Sequence, residues 1–183
     1  MKKFRLPLRA AAAPALIAAA ILFPGMLSAQ VREKQVVAST SWTAAIASAA
    51  GARNIRIIAP LDLKHPPEYE IKPSDLEALR SADLVVYSGY EKFAQRLAET
   101  AAGRGTTVLQ VYTDNLPPVF KREALKVAEA LGTVEKYRSW EASFDAELEL
   151  MRGRLAQAYP DRRAAVHRYL ATLAEWLGFE VVG

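Results

Sequence analysis

The sequence predicts an α/β fold in which a parallel sheet flanked by helices is joined by one long connecting helix to a partial second lobe. Three observations carry that expectation. Short apolar runs such as Leu84–Tyr87, which reads LVVY, alternate with amphipathic stretches of helical length, the pattern of parallel strands covered on both faces. Between residues 133 and 158 the apolar stripe Trp140, Phe144, Leu148, Met151, Leu155, Tyr159 recurs at intervals of three or four residues, which keeps one face of a long helix apolar. Beyond Pro160 the chain holds one further strand, helix and strand.

Lys2, Lys3, Arg5 and Arg9 form a basic head before the apolar run of residues 10–27, and the small pair Ser28 and Ala29 closes it. This is the layout of a secretory signal peptide cut after Ala29, with an uncleaved membrane anchor as the competing reading. The chain has 183 residues with 24 Lys plus Arg against 20 Asp plus Glu. All four basic residues of the leader leave with it, so the exported chain is neutral and its basic character gives no reason to expect nucleic acid as a partner. There is no cysteine, which excludes disulfides, thiolate metal sites and cysteine nucleophiles.

The first strand is expected at residues 35–39. Ser41 then caps a helix to Gly51 with Trp42, Ala45, Ile46 and Ala49 on one face, and a second strand covers 56–59 before Pro60. Residues 61–72 (LDLKHPPEYEIK) stay extended, because Pro66 and Pro67 cannot donate to a ladder. Pro73 suits a first helical turn, Asp75 adds a favourable negative charge there, and Leu76, Leu79 and Ala82 line a short helix. A strand at 84–87, a helix from Glu91 to about Ala102 and a strand at 106–112 follow. Residues 115–118 turn the chain, and Ala124, Val127, Ala128 and Leu131 mark a helix ending at Gly132. The long helix, about 38 Å if it is regular, has Gly153 as its weak point. A coiled coil is its bland alternative. A strand at 164–167, a helix at 169–177 with Tyr169, Leu173, Trp176 and Leu177 on its apolar side, and a strand at 180–182 complete the chain. The divisions are thus 1–29 signal peptide, 30–132 amino-terminal lobe, 133–159 connecting helix and 160–183 partial carboxy-terminal lobe. Right-handed crossovers would gather the loops after Pro60, Ser88 and Tyr112 at one sheet edge, where such folds present ligands. No Gly-x-Gly-x-x-Gly or phosphate loop is present.

VVAST at 36–40, PPEYEIKPSDLEALRSADLVVYSGYEKF at 66–93 and VHRYLATLAEWLGFEVVG at 166–183 resemble the zinc and manganese substrate-binding proteins of bacterial metal ABC transporters, the group that includes the adhesin-like lipoproteins. Tyr69, Glu70, Pro73, Ser74, Asp75 and Leu76 match the family's Tyr-Glu-x-x-Pro-Ser-Asp-Leu run. The resemblance implies two α/β lobes on a rigid helix, a zinc or manganese ion carried between them to a membrane permease, and a monomer in the periplasm or extracytoplasmic space. It also implies ligand positions. The family's first histidine falls at Pro67, with His65 two residues earlier as the available imidazole. The second falls near Tyr112, Thr113 and Asp114, and the third is matched by His167. The fourth, an acidic residue, would lie beyond Gly183.

The residues by themselves leave more open. Zinc takes imidazole, thiolate and carboxylate donors, usually four, and His65 and His167 stand a hundred residues apart without a metal-ligand spacing. Each considered alone reads as a structural or surface histidine rather than a ligand, and only the family match brings His167 level as a ligand. Glu68, Glu70 and Asp114, with Asp62, could add oxygen donors, although Glu70 and Asp75 also suit surface and helix-entry positions. Ser74 and Ser88 lack a histidine nearby in sequence or a nucleophile elbow, which gives no basis for an enzyme. The expectation is therefore a binding component of a metal importer with some ligand positions lost. The alternative is a metal-free secreted accessory protein that retains the amino lobe and binds a protein partner.

Overall fold

The computed structural model describes residues 32–63, 68–114 and 116–182. The expected leader and its cleavage point, together with His65, Pro66 and Pro67, lie outside the described residues. Four short parallel strands, β1 (Gln35–Ala38), β2 (Asn54–Ile57), β3 (Leu84–Tyr87) and β4 (Thr107–Gln110), form one sheet in the order β2-β1-β3-β4. The sequence explains the order. VVA of β1 and LVV of β3 are buried on both faces and take the centre, whereas NIRI and TVLQ place polar residues where the edges meet water. The second strand comes earlier than expected, at Asn54–Ile57 rather than 56–59. Ile58 and Ala59 only continue its hydrogen bonding, to the Ala38 and Ser39 carbonyls.

Successive residues of a strand point to opposite faces, and each face carries its own core. On one side Val36, Leu84 and Val86 meet α1 (Ser41–Ala49) and α4 (Pro117–Leu131), with Ile46, Ala47, Ala124, Val127 and Ala128 between them. On the other, Val37 and Val85 meet Leu79, which closes the short α2 (Pro73–Ala78), and Phe93, Ala94, Leu97 and Ala101 of α3 (Lys92–Ala102). The face of α1 differs from the expected one. Trp42 is 49 % exposed and Ala45 is also exposed, while Thr43, Ala44, Ile46, Ala47 and Ala49 are buried. The small side chains allow α1 to lie close on the sheet, and the indole is left outside.

Gly132 ends α4 in the left-handed conformation, φ 73°, that glycine adopts without a Cβ penalty. Thr133 follows, its hydroxyl donating to the Ala50 carbonyl at 2.6 Å, and α5 (Val134–Ala158) begins. The first half of α5 is fastened to α4 by Phe120, whose ring lies against both Trp140 and Phe144 of α5, themselves stacked at 4.7 Å, and by Lys121 bonded to Asp145 at 2.8 Å. Leu148 is buried as the stripe requires, and so is Tyr137, which lies outside that stripe. Met151 and Tyr159 depart from it, 45 % and 57 % exposed.

Beyond α5, β5 (Arg163–Ala164) and β6 (Glu180–Val181) form a two-stranded parallel pair connected through α6 (Arg168–Trp176). The expected strand at 164–167 is shorter and earlier. Tyr169, expected on the apolar side of its helix, is exposed, and Ala174 is the buried residue of α6. Arg152 attaches the unit to α5, its guanidinium 4.0 Å above the Trp176 ring and donating to the Trp176 carbonyl. Among the described residues no helix is long and apolar enough to cross a membrane.

Candidate metal centre

The strand order places the topological switch between β1 and β3, and the loops leaving the carboxyl ends of the parallel strands gather at that edge. Local chemistry fixes them. Ser39, directly after β1, donates from its hydroxyl to Glu91 Oε1 at 3.1 Å, and the Gly89 N–H donates to Glu91 Oε2 at 3.1 Å. Glu91 is buried and ties the loops of β1 and β3 together just before α3. Gly89 is favoured there because its φ is 90°, a conformation that glycine adopts without a Cβ penalty. The Thr40 and Ser88 hydroxyls are buried beside the Tyr90 phenol. Burial, reinforced by the Glu91 charge, raises the Tyr90 pKa above its ordinary value.

The loop after β4 is held from α4. Glu123, fully buried, bonds Lys126 at 2.6 Å and Arg122 at 2.9 Å, and its carboxylate also accepts the Tyr112 backbone N–H. Burial alone would push this carboxyl up. The hydrogen bonds and positive charge outweigh it and hold the pKa below the usual carboxylate value. Both cations also lie about 6 Å from the Tyr112 ring centre, so Tyr112 is gripped by backbone and side chain before Thr113 and Asp114 leave the sheet. After β2, Tyr69 packs edge-on against Phe93 and donates to Asp75 Oδ2 at 2.7 Å; burial, then Asp75, push its pKa up to about 12. Asp75 is buried, not the surface residue that its position alone suggested, and also accepts the Lys72 N–H at the entry of α2.

Asp114 lines a groove of about 490 Å³ with Thr113, Leu116, Tyr169, Thr172 and Leu173, so the loop after β4 and α6 face each other across it. His167 sits immediately before α6, exposed, with its ring stacked on Tyr169 at 4.9 Å. Glu68 and Glu70 are exposed and do not line this groove; Asp62 is exposed in the turn after β2. Among the described residues no three His, Asp or Glu side chains are grouped to hold an ion. Tyr169 and Thr172 were not anticipated as site residues. Their spacing of three on a helix was the available signal, masked by reading Tyr169 as core.

The sequence matches the family model of the zinc-uptake complex component A, periplasmic, over residues 36–178. The chain belongs to that family. Its members are binding components of transport systems outside the cytoplasm, not catalysts, and that is the class of this protein. Among curated proteins none is significantly similar in sequence. Solved structures share the fold. ZnuA is 22 % identical with a TM-score of 0.56, covering 81 % of this chain and 69 % of that one. The Mn-bound periplasmic metal binding protein of Candidatus Liberibacter asiaticus is 16 % identical with a TM-score of 0.57, covering 81 % and 67 %. The metal-dependent lipoprotein YcdH of Bacillus subtilis is 18 % identical with a TM-score of 0.58, covering 81 % and 66 %. The chain therefore spans about two thirds of the length of the structures it matches.

Proposed function

We propose that this zinc-uptake family member captures a divalent metal, zinc or manganese, at the carboxyl edge of its sheet and delivers it to a membrane permease. The observation that carries the reading is the groove in which Asp114 faces α6, the helix that His167 precedes. Asp114 of the groove wall and His167, just before α6 and stacked on the wall residue Tyr169, are the donors, and His65 is the further imidazole. Glu68 and Glu70 are the further oxygen donors of this reading. A manganese-bound and a cadmium-bound relative with the same fold support a divalent cation as cargo. Coordination requires a neutral imidazole and an ionised carboxylate.

Calorimetric titration of the tag-free, metal-free protein with zinc and manganese chlorides tests the proposal. Stoichiometric uptake is expected, weakened at least tenfold by His167→Ala, His65→Ala and Asp114→Ala. Uptake unchanged in all three variants, or no heat with the parent protein, would leave the metal-free accessory role as the reading to pursue.

A further inference from the structure

We propose that Glu123 is a positioning residue of the metal site: from α4 it fixes the direction in which the chain leaves β4, and with it the place of Asp114. This rests on the metal-carrying reading above and assigns the group that holds one of its donors. β4 is an edge strand of the sheet. Its last ladder bond to β3 runs from the Val111 N–H to the Tyr87 carbonyl at 2.8 Å, and alternate residues of a parallel strand face opposite neighbours. The backbone groups of Gln110 and Tyr112 therefore face away from β3. Side chains of α4 take them up: the Glu123 carboxylate accepts the Tyr112 N–H, and Lys126 Nζ donates to the Gln110 carbonyl at 3.3 Å. Glu123 and Lys126 are themselves joined at 2.6 Å, so one ion pair offers the strand an acceptor and a donor, as a neighbouring strand would.

Packing alone does not call for a charge at this position. Glu123 is fully buried on the face of α4 that otherwise carries Ala124, Val127, Ala128 and Leu131. An apolar residue of similar volume would fill the place without desolvating an ion, and such replacements of buried ion pairs are often neutral or stabilising. What the carboxylate adds is direction, because a hydrogen bond is geometrically demanding and a hydrophobic contact is not. Arg122, bonded to Glu123 at 2.9 Å, and Lys126 bring their charges to about 6 Å from the Tyr112 ring, which restrains the side chain as well as the backbone. Asp114 follows two residues later, within reach of that constraint.

Zinc chloride titrated calorimetrically into the full metal-free chain tests this role through a double-mutant cycle. Glu123→Gln keeps an oxygen for the Tyr112 N–H and drops the charge that holds Lys126 and Arg122, and it should weaken zinc several-fold. The loss should vanish in the Asp114→Ala background, because the donor that Glu123 positions is then gone. Leu97 lies buried in the core on the other face of the sheet, so Leu97→Ala should lower stability at least as much and leave zinc affinity unchanged. In the metal-free protein, Glu123→Gln should also speed amide exchange more at residues 112–114 than at residues 36–38 of β1. Unchanged zinc affinity, the same loss with Asp114→Ala already present, the same loss in Leu97→Ala, or unchanged exchange at 112–114 overturns the inference and leaves the metal-carrying reading intact. No heat with the parent protein overturns both.

Discussion

The β1–α1–β2 and β5–α6–β6 units have the same order of elements, and each is built around a nine-residue helix, yet they are buried very differently. α1 buries five residues, whereas α6 buries Ala174. The division of apolar and polar faces along the sequence is stronger in α6. Amphipathicity is therefore not what decides burial here. α1 lies between a four-stranded sheet and α4, and its small residues permit close approach. α6 has a two-stranded pair and the end of α5 beneath it, and a two-stranded pair is too small to form a core.

The largest test of this contrast compares equivalent truncations. Leu97 of α3, fully buried in one core with Phe93 of the same helix and Val85 of the sheet, should cost about 2 to 5 kcal/mol as Leu97→Ala. Leu170 on α6 is 44 % exposed, and Leu170→Ala should change stability by less than about 0.5 kcal/mol. Urea denaturation of both variants measures the difference. Similar losses would mean that α6 is covered in solution, and the comparison would have to be redrawn.

The contrast also marks what could be read in advance. The central places of β1 and β3 follow from runs that are apolar at every position, and the edges follow from Arg56, Thr107 and Gln110. Leu148 and Trp140 were legible from spacing, and Trp140 meets Phe120 of α4 and the core between α1 and α4. Met151, Tyr159 and Tyr169 obey the same spacing and stay exposed, since periodicity records the apolar face but not the presence of a partner. Asp114 was legible as a candidate from its place after β4. Its neighbours Tyr169 and Thr172 were not, because a groove between segments more than fifty residues apart exists only once the chain is folded. Glu91 and Glu123 were missed for a related reason: nothing local distinguishes a buried carboxylate from a solvated one.

Glu123 gives a medium-sized effect confined to the better-buried region. Its folded pKa is depressed below the ordinary value near 4.5, so its contribution is present above that value and disappears as pH falls through the lower folded one. Glu123→Gln should cost about 2 kcal/mol at pH 7, through the loss of hydrogen bonds between charged groups. The gap between variant and parent should then narrow on acidification below about pH 4.5. Denaturation midpoints collected across that range decide the matter. A gap independent of pH would show that the ionised carboxylate contributes nothing to the grip on Tyr112.

The smallest effect belongs to the helix that links the two regions. Gly153 lies inside α5, at an exposed position in its less covered half, and a Cβ placed there meets nothing within 4 Å. Glycine in a helix interior costs about 1 kcal/mol relative to alanine, mainly through the backbone freedom it retains when unfolded. Gly153→Ala should therefore stabilise the protein by up to about 1 kcal/mol if α5 unfolds together with the sheet layer. If the distal half frays independently, the gain is confined to it. The global midpoint then stays fixed while amide exchange slows around residues 150–158 alone. A denaturation curve and an exchange profile of this single variant thus report whether α5 mechanically couples the two units. A loss of stability would show that the distal half of α5 is not the regular helix described here.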